Sequence, residues 1–237
     1  MNGAAPIGLV GGMSWQSSAL YYRRLNELGE DRWEPHRNPT SVLATLCFDD
    51  LLAAANDGEW ETVDRLIVDA ACRLKDAGAA LVMLTAFTAH RAADAVTQAT
   101  GLPLVHAGDA LANKLAHDQI KRVGLLGTAA TLNQGLIAER IAALGIAVVE
   151  PDPEPAQAVD QLILSELTRG RVTDEGIGTF ERAAKNTLAK GADAIALACT
   201  ELPLLAGHHR LSVPVIDGVD AHVEAALEQA EAQHKKP

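Results

Sequence analysis

Two stretches of this chain repeat one design. Pro6-Ile7-Gly8-Leu9-Val10 is an apolar run that stops at Gly11-Gly12, with Ser14 and a helical pattern after it, and Lys121-Arg122-Val123-Gly124-Leu125-Leu126 stops at Gly127-Thr128 in the same way. Strand, glycine turn and helix in succession build a parallel sheet, because a parallel partner is reached only through a crossover. A pattern that restarts midway through the chain predicts two similar halves.

The alternation can be followed throughout. In the first half, residues 6–10, 41–48, 79–85 and 101–106 read as strands, and 20–29, 60–77 and 88–98 as helices, with another from Asp109. In the second, 121–126, 147–149, 192–198 and 213–218 read as strands, and 131–144, 156–169 and 174–190 as helices. The prolines of 151–155 read as a loop, and the tail from Glu228 as a fraying surface helix. The fold class is therefore α/β: two pseudosymmetric parallel-sheet domains, with the site in the cleft between them. The first domain is read at 1–117, joined by part of the C-terminal segment 207–237, and the second at 118–206.

With 237 residues, 48% of them hydrophobic, the chain can bury a full core. A net charge of -11 argues against nucleic acid and against an anionic membrane surface, leaving small molecules or a second copy of the chain as partners. Cys47, Cys72 and Cys199 lack the spacing of a disulfide framework or a zinc site. Cys47 and Cys72 read as core residues, and no segment reads as a leader or membrane span, so a reducing cytoplasm is expected.

Cys199 differs from the other two. It ends the apolar run after Gly191 and precedes Thr200-Glu201-Leu202-Pro203, which reads as a turn into a helix. A helix amino terminus beside the sulfur would favour the thiolate, the reactive form of cysteine. Aligning Gly78 with Gly191 sets Ala86 opposite Cys199, each eight residues on, and leaves Thr85 as the nearest hydroxyl.

Gly11-Gly12-Met13-Ser14-Trp15-Gln16-Ser17-Ser18, with Tyr21-Tyr22 and Asn26, resembles the opening signature of the aspartate/glutamate racemase family. Gly124-Leu125-Leu126-Gly127-Thr128, Cys199-Thr200-Glu201, His106, Asp217 and His222 extend the likeness over nearly the whole chain. The resemblance implies a cofactor-independent isomerase, often a homodimer, in which paired cysteines move the α-proton of an acidic amino acid or related carboxylate. It places Met13, Ser14, Thr88, Thr128, Arg169, Thr200 and Glu201 around the substrate and Cys199 as an acid–base thiol, with no metal.

The resemblance also exposes a departure. The family's first-half cysteine and its following asparagine are Ala86 and Phe87 here. Three outcomes stay open: racemisation with Thr85, Thr88, His90 or water serving the second face, one-cysteine chemistry of a decarboxylase or lyase, or binding alone. Ser14 and Thr128 also suit helix caps, and Arg169 a cation at a helix end.

Overall fold

The computed structural model describes residues 4–205 and 207–234. By packing, the chain divides into two compact units: the chain up to His106 together with the stretch from His222 onward, and Ala107–Ala221. The sequence predicts breaks at 117/118 and 206/207 instead. Helix α5 (Ala107–His117) groups with the second unit, where it packs along α7 (Leu136–Ala143).

The first unit holds a three-stranded parallel sheet in the order β2-β1-β3, made of β1 (Ile7–Gly11), β2 (Ser41–Thr45) and β3 (Leu81–Leu84). Ile7 stands opposite Ser41 on one side and Leu81 on the other. β1 and β3 are buried at every position, as strands of a parallel sheet covered on both faces must be, whereas edge strand β2 is half exposed. The helices are α1 (Trp15–Arg32), α2 (Phe48–Asn56), α3 (Trp60–Asp76) and α4 (Ala93–Thr100). α3 buries Val63, Ile67, Ala70, Ala71 and Leu74, a stripe at helical spacing, in one core cluster with Val10, Val82 and Leu84.

Several sequence expectations change here. The strand read at 101–106 is a single bridge between Val82 and Leu104, flanked by Val82 N–H to Pro103 O at 2.9 Å and Val105 N–H to Val82 O at 3.0 Å. Pro103 has no N–H with which to extend the ladder. β2 ends at Thr45, because Cys47 caps α2, a helix whose buried face is only Leu51 and Ala54. Cys47 is consequently exposed and Cys72 half-buried, so neither is the core residue expected. The helix read at 88–98 is a 3-10 turn, Thr88–Ala92, followed by α4.

The second unit carries a four-stranded parallel sheet in the order β5-β4-β6-β7, made of β4 (Arg122–Leu126), β5 (Ala147–Val149), β6 (Ala194–Leu197) and β7 (Val215–Asp217). Its helices include α6 (Ala129–Asn133), α8 (Pro153–Ser165) and α9 (Asp174–Ala189). α8 starts inside the proline-rich stretch, since first-turn N–H groups have no helical partner and proline forfeits nothing there. The helix read at 131–144 breaks at Gly135, which adopts φ +69° between α6 and α7. Val159, Leu162 and Ile163 of α8 share a core cluster with Phe180, Ala183 and Ala184 of α9.

α10 (Gly218–His234) reaches the tail of the described chain. It is fastened rather than fraying: Ala5 N–H donates to Ala230 O at 2.9 Å, and Glu231 accepts from Arg32 Nε at 2.8 Å and Trp33 Nε1 at 2.6 Å. Among the described residues, no helix is long and apolar enough to cross a membrane.

Candidate active site

In each unit one buried strand delivers its carboxyl end to the same backbone position. Gly78 (φ +89°) leads into β3 and Gly191 (φ +90°) into β6, positive-φ turns that glycine adopts without steric cost. Thr85 N–H donates to Val10 O at 3.0 Å just beyond β3, and Ala198 N–H to Leu126 O at 2.7 Å just beyond β6. The next residues are Ala86 and Cys199, so the alignment of the two glycines holds in the backbone hydrogen bonds as well.

Cys199 is 5% exposed. Its thiol donates to Glu201 Oε2 at 3.2 Å, and Thr200 Oγ1 donates to the same oxygen at 2.7 Å. Thr200 and Glu201 are both buried. Burial first, and the Glu201 carboxylate second, push the thiol well above the ordinary cysteine range, while backbone hydrogen bonds from Glu201 and Leu202 pull the other way. This reverses the expectation of a helix-stabilised thiolate. The chain beyond Cys199 forms only a short 3-10 turn, Leu202–Leu205, too small to offset desolvation.

Thr128 caps α6, its Oγ1 accepting from Thr131 N–H at 3.2 Å. Arg169 ends the 3-10 turn Leu167–Arg169 and is exposed, outside the hydrogen-bonded group around Cys199, although Leu167 belongs to the same core cluster as the thiol. The structure thus joins Thr200 and Glu201 to Cys199 and gives Thr128 a capping role.

In the first unit the β1–α1 turn is fixed by hydroxyls. Gly12 has φ +93°, and a Cβ there would lie 2.1 Å from Leu46 O, so no other residue fits without moving backbone. Its N–H donates to Ser18 Oγ at 2.8 Å. Ser14 is buried and caps α1 by accepting from Ser17 N–H at 3.3 Å, and Met13 packs half-buried against the core. Ser17 Oγ donates to Thr85 O, Ser18 Oγ donates to Ser14 O at 3.0 Å, and the Ser18 and Thr85 hydroxyls lie 3.2 Å apart.

Thr85 is fully buried with its hydroxyl against Ser18, so it ties β3 to α1. Ala86 and Phe87 are buried, and Thr88 is half-buried at the start of its turn. The motif around Ser14 includes Ser17 and Ser18, but the bond from Ser17 to a residue 68 positions away has no local signal in sequence.

A profile of the family described as Asp/Glu/Hydantoin racemase matches residues 10–226. The chain belongs to the Asp/Glu/hydantoin racemase family. It is similar to the broad specificity amino-acid racemase RacX of Bacillus subtilis, at 26% identity over 222 residues, covering 89% of this chain and 92% of that one. A Yersinia pestis structure assigned as an Asp/Glu racemase superposes with a TM-score of 0.86 at 34% identity, covering 95% of this chain and 99% of its own. An aspartate racemase homologue from Pyrococcus horikoshii gives 0.83 at 27% identity over the same shares. Arylmalonate decarboxylase shares the racemase-family fold, with a TM-score of 0.56 at 21% identity, covering 95% of this chain and 92% of that one. Both units therefore carry the α/β architecture of this family.

Proposed function

We infer that the protein is a cofactor-independent racemase of an amino acid or related carboxylate, with Cys199 as its acid–base thiol. The observation that carries this reading is the buried Cys199–Glu201 pair, at 3.2 Å, within a chain of this family. Proton transfer from sulfur to Glu201 leaves a thiolate that removes the α-proton of the substrate. The electron pair then rests on the α-carbon and its carboxylate. Reprotonation of that carbon, from the thiol on the same face or from another donor on the opposite face, returns the starting hand or its mirror image. Thr200, donating to Glu201, holds the carboxylate in place through the cycle.

A second reading draws on a separate observation: the position equivalent to Cys199 is Ala86, and the adjacent Thr85 hydroxyl is committed to Ser18. A neutral, buried thiol is a proton donor, which suits one-sided delivery. In a decarboxylase, carbon dioxide leaves with cleavage of a carbon–carbon bond, the electron pair stays on the α-carbon, and the Cys199 proton quenches it. Arg169 is assigned in both readings to the distal carboxylate of an acidic substrate.

The test is incubation in heavy water with both hands of aspartate, glutamate and a wider amino-acid panel, and with substituted malonates. Racemisation gives α-deuteration with inversion. Deuterated product from a malonate, without inversion of amino acids, selects the second reading. Turnover that survives in Cys199→Ala removes both.

A further inference from the structure

The second unit holds a charged side chain beside the Cys199 strand end that neither reading uses. Leu126 of β4 stands opposite Leu197 of β6, so Thr128 and Cys199, each two residues further on, leave the sheet side by side on strands about 4.8 Å apart. A Cβ on Gly127 would lie 2.9 Å from Ala198 O, so the two strand ends run in close contact. Ala129 follows Thr128, and its N–H donates to Asp160 Oδ1 at 2.8 Å. Asp160 thereby brings a carboxylate to within one residue of the position level with the thiol.

Asp160 is half-buried on α8, directly after Val159, which shares a core cluster with Leu126 and Cys199. α8 carries no Lys or Arg, and neither do residues 126–131 or 197–205. Among the described residues Asp160 forms no ion pair. The start of α6 does not need this charge. Thr128 already accepts from Thr131 N–H, and a neutral oxygen would serve Ala129 as well. A carboxylate has two oxygens, and the helix engages only Oδ1.

A second acceptor lies on the same helix face. Thr128, Thr131 and Gln134 follow at intervals of three, and helical side chains lean toward the amino terminus. Gln134 therefore leans toward the Thr128–Thr131 hydroxyl pair, whose oxygens are 3.0 Å apart. Its Oε1 is buried and has no hydrogen-bond partner among the described residues. Around this turn the protein presents oxygen acceptors, one of them charged, and the complementary group is a cationic donor. An organic ammonium fits better than a metal ion, since among the described residues no three His, Cys, Asp or Glu side chains gather to hold one.

We propose that Asp160 is a specificity-determining residue that accepts the α-ammonium group of the substrate at Oδ2 while Cys199 faces the α-hydrogen. This rests on the racemase reading and names its substrate as an amino acid in place of a malonate. The amino nitrogen is one bond, about 1.5 Å, from the α-carbon, so a carbon within reach of the sulfur carries that nitrogen toward the neighbouring strand end. The same carboxylate repels a dianion and so works against the malonate of the second reading.

The experiment compares aspartate of each hand with succinate, and alanine of each hand with propionate, by calorimetry on the whole protein. Each pair shares a skeleton and differs by the amino group. In at least one pair the wild-type protein should bind the amino acid about tenfold or more tighter than its partner. Asp160→Asn keeps an oxygen for Ala129 N–H and should melt at the wild-type temperature, yet bring the two ligands to within about threefold, chiefly by weakening the amino acid. Should that variant fail to fold, Asp160→Gln takes its place. Glu154→Gln removes an equal charge from an exposed position on the same helix and should leave the preference unchanged.

The proposal is overturned by a wild-type protein that binds neither pair or binds both members equally, by a preference that survives in Asp160→Asn, or by an equal loss in Glu154→Gln. An Asp160-dependent preference without α-deuteration or inversion would instead refute the racemase reading and leave the ammonium site standing. Inversion with a preference that Asp160→Asn does not move would do the reverse.

Discussion

Acid should unfold the first unit through His222. The unfolded chain holds this imidazole with a pKa near 6.5, and the folded protein lowers it to about 3. Between those values the unfolded state binds a proton that the folded state refuses, so His222's contribution is fully present above the unfolded pKa and drains away as pH falls toward the folded one. Moving from neutrality to about pH 4 crosses roughly 2.5 units of that window, worth about 3 kcal/mol at 1.36 kcal/mol per unit. The three tryptophans, Trp15, Trp33 and Trp60, all lie in the first unit, so their fluorescence reports its unfolding selectively. In urea, with a slope of about 1–3 kcal/mol per molar, the loss moves the midpoint by about 1–3 M.

Carboxylates contribute to acid unfolding too, so the decisive quantity is a difference. His222→Gln cannot titrate, and its stability should change between the two pH values by about 3 kcal/mol less than that of the wild type. A difference below about 1 kcal/mol would refute the reasoning. Should the variant fail to fold, NMR of the wild type decides: a His222 ring signal that titrates between neutrality and about pH 4 is incompatible with the buried neutral form.

Glu201→Gln removes the charge that helps push the Cys199 thiol up, so Cys199 should alkylate faster at neutral pH, read by mass spectrometry against exposed Cys47 as the internal standard. Cys199→Ala should lower turnover of whichever substrate is found by at least about 10²-fold with the fold retained by circular dichroism. Arg169→Ala should raise KM for dicarboxylates more than for monocarboxylates, with kcat little changed. Gly12→Ala should cost about 3 kcal/mol or more, visible as a lost or strongly lowered thermal transition, because its Cβ would collide with Leu46 O.

The alternation of apolar runs with glycine turns is enough to find both sheets, since buried parallel strands such as Leu81–Leu84 and Ala194–Leu197 are legible as unbroken hydrophobic stretches. Pro103 shows where that legibility ends. Its neighbours look like a strand, yet a ladder needs donors, and the segment closes only one bridge. α2 escapes a reading by periodicity because its buried face is two residues wide. At the candidate site the spacing from Gly78 and Gly191 leads to Ala86 and Cys199, each one residue past a matching backbone hydrogen bond, but does not give the state of the thiol. A nearby helix start and Glu201 two positions on are both visible in sequence, whereas the burial that raises the thiol most is a tertiary fact. The histidines are visible in sequence only one by one. His222 is brought beside His90 by α10, whose return no local pattern announces.

That return has a consequence for the growing polypeptide. The second unit is a single continuous stretch, while the first is assembled from two stretches on either side of it: Tyr21 meets His222 across 201 positions and Val105 meets it across 117. On the ribosome, the strands of the first unit emerge early but must wait, with the pocket for His222 unfilled and Glu231 absent from Arg32 and Trp33, until the whole second unit and α10 have been made. The unit translated second is the one able to complete itself first, and the sheet of the first unit acquires its final partner only when α10 emerges.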